Sequence, residues 1–110
     1  MPRSPNDLLH GTLDVLVLQT LTWGPMHGYG ITTWIELHSG DELEIVDAAL
    51  YKALHRLEAA AAVSATWGMS ENNRKAKYYQ LTPAGRRQLR EETANWDRIA
   101  LAIGRALKVT

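Results

Sequence analysis

The segment from Leu50 to Leu81 constrains the fold most, because it sets an amphipathic helix, LYKALHRLE, shortly before a hairpin whose tip and return read SENNRKAKYYQLT. In the helix Leu50, Leu54, Leu57 and Ala61 recur at spacings of 4, 3 and 4, so they share one face and point into a core. The opposite face carries Ala48, Lys52, His55 and Ala59, flanked by Tyr51 and Arg56. Val63, Ala65 and Trp67 then alternate with Ser64 and Thr66 as a strand, Gly68 to Asn73 form a tip, and Lys75 to Leu81 return. Asn72 and Asn73 tolerate the positive φ that a tip demands. Helix and hairpin together read as a winged helix, a fold that mostly meets DNA. The small and hydrogen-bonding residues on the outer helix face suit a groove where base edges are read.

Charge supports that reading through its distribution. The chain of 110 residues has a formal net charge of zero, yet its segments carry −2 (residues 1–40), −3 (41–62), +5 (63–90) and 0 (91–110). The hairpin and the residues just after it form a basic edge that can face a polyanion, while the other faces stay acidic. There are no cysteines, which excludes disulfides, thiolate nucleophiles and Cys-based zinc sites. His10, His27, His38 and His55 lack the spacing of a metal site, so no metal and no cofactor are expected. Gly28-Tyr29-Gly30 lacks the third glycine and the preceding strand of a dinucleotide loop. No nucleophile, base and orienting acid fall into a known pattern, which argues against an enzyme. No run reaches the roughly 18 apolar residues of a membrane span. The N-terminus lacks the basic start and apolar stretch of a signal peptide, so a cytoplasmic location is expected.

The flanking segments complete a mainly α architecture with one small hairpin. A first helix is expected from Asn6 or Asp7, as caps, to about Leu21, apolar around most of its second half and therefore in need of cover on several sides. Trp23-Gly24-Pro25 reads as a turn, and His27-Gly28-Tyr29-Gly30 opens a second helix that ends at Ser39-Gly40-Asp41. Glu42 to Val46 suit a short extended piece, with Asp47 as the next cap. Thr82-Pro83 is a strong helix start, and nothing breaks the helix before about Leu107, a length of about 38 Å. Leu89, Thr93, Trp96, Ala100, Ile103 and Leu107 follow at the spacing of a coiled-coil seam, which points to a partner helix from a second copy. The expected division is a winged helix-turn-helix over residues 1–82 and a C-terminal dimerisation helix over 83–110.

Laid out this way, the chain resembles the PadR family of bacterial transcriptional regulators, in particular its short members with a single C-terminal helix. The resemblance is carried by Gly11-Thr12-Leu13-Asp14 with Leu16 and Leu18, Gly24-Pro25-Met26-His27-Gly28-Tyr29-Gly30-Ile31, Leu50-Tyr51, Leu54-His55-Arg56-Leu57-Glu58, and Trp67-Gly68 through Tyr78-Tyr79 and Leu81-Thr82. It implies a homodimeric repressor of double-stranded DNA, with Ala48, Ala49, Tyr51, Lys52 and His55 reading a groove. Asn73, Arg74, Lys75 and Lys77 of the wing and Tyr29 would contact phosphates. It implies a dimer interface made by Leu9, Leu13, Leu16, Leu89, Trp96, Ala100, Ile103 and Leu107. Trp96 falls where multidrug-binding relatives place a tryptophan that stacks planar ligands, so a small aromatic or hydrophobic effector is an expected partner. A large aromatic at such a seam also packs there without any ligand.

The chain departs from the family pattern in two places. Ala48-Ala49 and Lys52 stand where many relatives have Gly-Ser and proline, which removes a hydroxyl and adds a cation. Ala59 to Ala62 replace a glycine and a bulky apolar residue, which would let the third helix run on and tilt the wing. A rival reading keeps the scaffold without the DNA: a winged-helix module that binds a small molecule or an acidic protein.

Overall fold

The computed structural model describes residues 5–109, with side chains from Thr12 onward. The element order is α1 (Pro5–Thr20), a 3-10 turn (Leu21–Trp23), β1 (Met26–His27), α2 (Gly28–His38), α3 (Asp47–Ala59), β2 (Val63–Met69), β3 (Lys75–Leu81) and α4 (Pro83–Lys108).

The core sits where α1, α2 and α3 meet the inner face of the hairpin. Leu13, Val17, Leu18 and Leu21 enter it from the first segment, Ile31 and Ile35 from α2, Leu50, Ala53, Leu54 and Leu57 from α3, and Val63, Tyr79 and Leu81 from the strands. α1 meets both α3 and α4. Asp14 and Arg56 tie the first of these contacts: the guanidinium donates to both carboxylate oxygens, at 2.7 and 3.4 Å. Arg56 therefore reaches toward α1 from the edge of the outer surface of α3.

The helix-turn-helix corner is fixed by two side chains of α2 and its cap. Ser39 Oγ donates to the Glu36 carbonyl and accepts from the Leu43 amide, and the Glu36 carboxylate accepts from the Ile45 amide at 3.1 Å. This satisfies backbone groups that an irregular turn would leave bare. Residues 42–46 thus form a side-chain-braced loop without strand pairing, and Val46 is extended. Asp47 is the first helical residue of α3, after Val46 at the cap position. Asn6 and Asp7 likewise lie inside α1, not ahead of it.

The sheet has three antiparallel strands in the order β1-β3-β2. The wing pairs Val63 with Leu81, Ala65 with Tyr79, Trp67 with Lys77 and Met69 with Lys75, so β2 runs two residues further toward the tip than the alternation of Val63 to Trp67 suggests. Met26 and His27 add a third strand by pairing with Tyr79 and Tyr78.

The four alanines do not prolong α3, which ends at Ala59. Ala61 takes φ 58°, the left-handed region, and turns the chain into β2. It is therefore exposed and off the inward face, while Ala53 within the helix and Ala62 after it are buried. α4 starts on this same turn. The Thr82 amide donates to the Ala62 carbonyl at 3.1 Å, and Thr82 Oγ1 donates to the Ala61 carbonyl at 2.6 Å while accepting from the Gly85 amide at 3.0 Å. The molecule measures 56 × 27 × 27 Å, and the 26-residue α4, about 39 Å long, accounts for much of that elongation. No described helix is long and apolar enough to cross a membrane.

Candidate nucleic-acid interface

With Leu50, Ala53, Leu54 and Leu57 turned inward, α3 presents Ala48, Tyr51, Lys52 and His55 to solvent, and these four, with the half-buried Arg56, line one shallow recess. Ala49 is half-buried against the core and offers less of its surface than these four. Tyr51 leans over the start of α2. A Cβ added at Gly28 would come within 3.1 Å of its hydroxyl oxygen, which explains why the smallest residue stands there. Tyr29, one residue on, is 80% exposed.

His27 joins α2 to the wing. Its Nδ1 accepts from the Gly30 amide at 3.0 Å, capping the helix, and its Nε2 faces the Glu71 carboxylate at 3.6 Å. Its ring also lies 5.3 Å from that of Tyr78. The wing tip is closed by the Ser70 amide donating to the Arg74 carbonyl at 2.8 Å and the Asn73 amide donating to the Ser70 carbonyl at 2.9 Å. Asn73 takes φ 58° there, the conformation for which asparagine is suited. Gly68 lies under the Tyr78 ring, where a Cβ would stand 3.2 Å from ring carbons.

The wing cations differ in their surroundings. Arg74 is exposed at the tip. Lys75 Nζ stands 5.1 Å from the centre of the Trp67 ring. Lys77 Nζ donates to the Glu58 carboxylate at 3.3 Å and lies 5.5 Å from the Tyr79 ring centre. That bond to Glu58 raises the Lys77 pKa above its ordinary value, and burial raises that of Tyr79. Wing, α3 and the start of α2 enclose an open groove of about 620 Å³, lined among others by Tyr29, Tyr51, Trp67, Arg74, Lys75 and Tyr79. Aromatic faces and ammonium or guanidinium groups on one groove suit a phosphodiester chain, whose sugars pack on rings and whose phosphates meet cations.

A family model described as the transcriptional regulator PadR-like family matches residues 17–91. The chain belongs to the PadR-like family of transcriptional regulators. A transcriptional regulator from Clostridium thermocellum superposes on this PadR-like chain with a TM-score of 0.84 at 26% identity, covering 93% of this chain and 99% of the other. A PadR family transcriptional regulator from Eggerthella lenta gives 0.78 at 31% identity, over 94% and 88%. A protein of Lysinibacillus sphaericus is 30% identical over 91 residues, which are 83% of this chain and 84% of the relative. The winged helix-turn-helix architecture inferred from the hairpin is therefore that of a known regulator family.

Of the residues expected at a dimer interface in this PadR-like chain, Trp96, Ala100, Ile103 and Leu107 are exposed along α4, and so are Ile99 and Leu101, which the seam spacing passes over. Leu16 and Leu89 are half-buried against the chain's own core, and the side chain of Leu9 lies outside the described residues. Leu13 is only 4% exposed, most of its surface being covered by this chain. Trp67 is 63% exposed, and its alternation in the sequence places it on a strand without assigning it a role. The neighbouring cations Arg74, Lys75 and Lys77 are the signal that could have marked it.

Proposed function

We propose that this PadR-like regulator binds double-stranded DNA as a homodimer and represses transcription by occupying a palindromic operator. The reading divides the chain into a DNA-binding unit, residues 1–82, and a dimerisation helix, 83–110. The observation that carries it is the solvent-facing side of α3: Ala48, Tyr51, Lys52 and His55 are exposed together beside a wing whose Arg74 and Lys75 are also exposed. α3 enters the major groove, and Asn73, Arg74, Lys75 and Tyr29 engage the flanking phosphates. Lys77 is already paired with Glu58, so part of its charge is offset before a phosphate arrives.

Dimerisation is supported by the apolar side chains that α4 leaves in water, Trp96 at 49%, Ile103 at 52% and Leu107 at 79% exposure, after the core has been filled. A dimeric reader should place its two α3 helices about one DNA turn apart, roughly 34 Å, or a multiple of it. The half-exposed Trp96 at this seam is the place for a flat, apolar effector. Such a compound releases DNA only if it binds better to a dimer with the wrong wing separation than to the DNA-bound one.

Hydroxyl-radical footprinting on the promoter of the chain's own gene tests the reading. Two protected half-sites related by a dyad are expected, and Lys52→Ala should change which base is preferred within each half-site. Protection without a dyad, or none, would favour a winged-helix module that serves a small molecule or an acidic protein instead.

A further inference from the structure

Directly paired residues of an antiparallel ladder point to the same face, so the pairing of Trp67 with Lys77 and of Met69 with Lys75 puts all four beside Tyr79 on one face of the wing. That face looks toward α3, because Lys77 there bonds to Glu58 and Tyr79 is buried. Two lysines two residues apart on β3 are thus held differently. Lys77 is tied to an acid of α3 at 3.3 Å. Lys75 makes no ion pair among the described residues, and what holds its ammonium is the indole of Trp67, which orders the long side chain without neutralising it. The indole itself is 63% exposed and lines the groove between wing and α3. A tryptophan so exposed adds little to the fold, and its surface is free for a ligand that brings a sugar or a base.

We propose that Trp67 is a DNA-contacting residue, packing against the sugar-phosphate chain and presenting Lys75 to the adjacent phosphate, and that Lys77 is a positioning residue that sets the wing against α3 through Glu58. This rests on the DNA-binding reading above. Pre-ordering Lys75 on the ring lowers the entropy lost when it meets a phosphate. Lys77 brings a charge that Glu58 already partly offsets, and so adds less to the attraction for a phosphate.

The test is fluorescence anisotropy of the full chain with a labelled duplex of the promoter upstream of its own gene over a range of salt concentrations, for the native protein and for Trp67→Ala, Trp67→Phe, Trp67→Leu, Lys75→Ala and Lys77→Ala. Trp67→Ala should weaken binding roughly tenfold, about what truncating one large apolar side chain in an interface costs. Trp67→Phe should recover most of that loss and Trp67→Leu should not, with all three melting close to the native protein. Lys75→Ala should lower the slope of log affinity against log salt by about one, whereas Lys77→Ala should leave it nearly unchanged. Native affinity in Trp67→Ala, equal behaviour of the phenylalanine and leucine variants, or a full unit of slope lost in Lys77→Ala would each overturn the assignment. If the native protein fails to bind while all variants are folded, the DNA-binding reading itself falls, and this proposal with it.

Discussion

Replacing Gly85 by alanine should destabilise the protein, although the position is helical and alanine is the better helix former. Propensity alone favours the substitution by about 1 kcal/mol. Against that, the new Cβ would stand 2.0 Å from the Ala62 carbonyl oxygen and 2.9 Å from a methyl of Leu81, where ordinary contact begins at 3.4 Å. The nearer obstacle is backbone and cannot rotate away, so α4 must lift by more than 1 Å from the α3–β2 turn. Lifting stretches the bonds from the Thr82 amide to Ala62 and from the Thr82 hydroxyl to Ala61. Two weakened hydrogen bonds at about 1 kcal/mol each, with an overpacking cost of about 1–3 kcal/mol, outweigh the gain in propensity. The net loss is about 3 kcal/mol, a large share of the roughly 5–15 kcal/mol that holds a small domain together. Urea unfolding followed by circular dichroism at one fixed protein concentration measures it, the fixed concentration being needed if the chain dimerises. A Gly85→Ala variant as stable as the native protein, or more so, would refute the argument from close approach.

Ala61→Gly should have the opposite sign, stabilising by about 0.5–1 kcal/mol in the same assay, because φ 58° costs alanine what it does not cost glycine. Ile103→Asp should convert the proposed dimer to a monomer in sedimentation velocity while leaving the helical circular dichroism signal largely intact, since Ile103 is 52% exposed within the chain. Stability should also fall at alkaline pH. Tyr79, pushed up by burial, and Lys77, pushed up by Glu58, both have folded pKa values above their ordinary 10.0 and 10.5. For Lys77 the stabilisation is present below the ordinary value and is lost as pH rises through the raised one; for Tyr79 the cost of burying a phenolate sets in over the same range, so urea midpoints should hold from pH 8 to about 9.5 and then drop. Tyr79→Phe should make that drop shallower.

The elements with a strong local signal are readable without the structure. Leu50, Leu54 and Leu57 mark the inner face of α3 by spacing alone, and Thr82-Pro83 marks the start of α4, where the hydroxyl does accept from the Gly85 amide. Features that depend on distant partners are not. The two-residue β1 has no periodicity and exists because β3 offers an edge to Met26 and His27. Asp14 and Arg56 are 42 positions apart, and Glu58 and Lys77 are 19 apart, so neither pair can be separated from ordinary surface charges by spacing. Alanine carries no turn signal, which hides the left-handed residue at Ala61. Helix α1 is apolar around most of its second half, so its pattern cannot tell which of its leucines the chain's own core covers.

The central claim is that the surface formed by α3 and the wing binds DNA with sequence preference. The most direct measurement is an anisotropy titration against the promoter upstream of the chain's own gene, beside a scrambled duplex of the same length, at two salt concentrations. Tighter binding to the promoter, one dimer per site and a steep loss of affinity at higher salt are the predicted result. Equal affinity for both duplexes, or none for either, would contradict it.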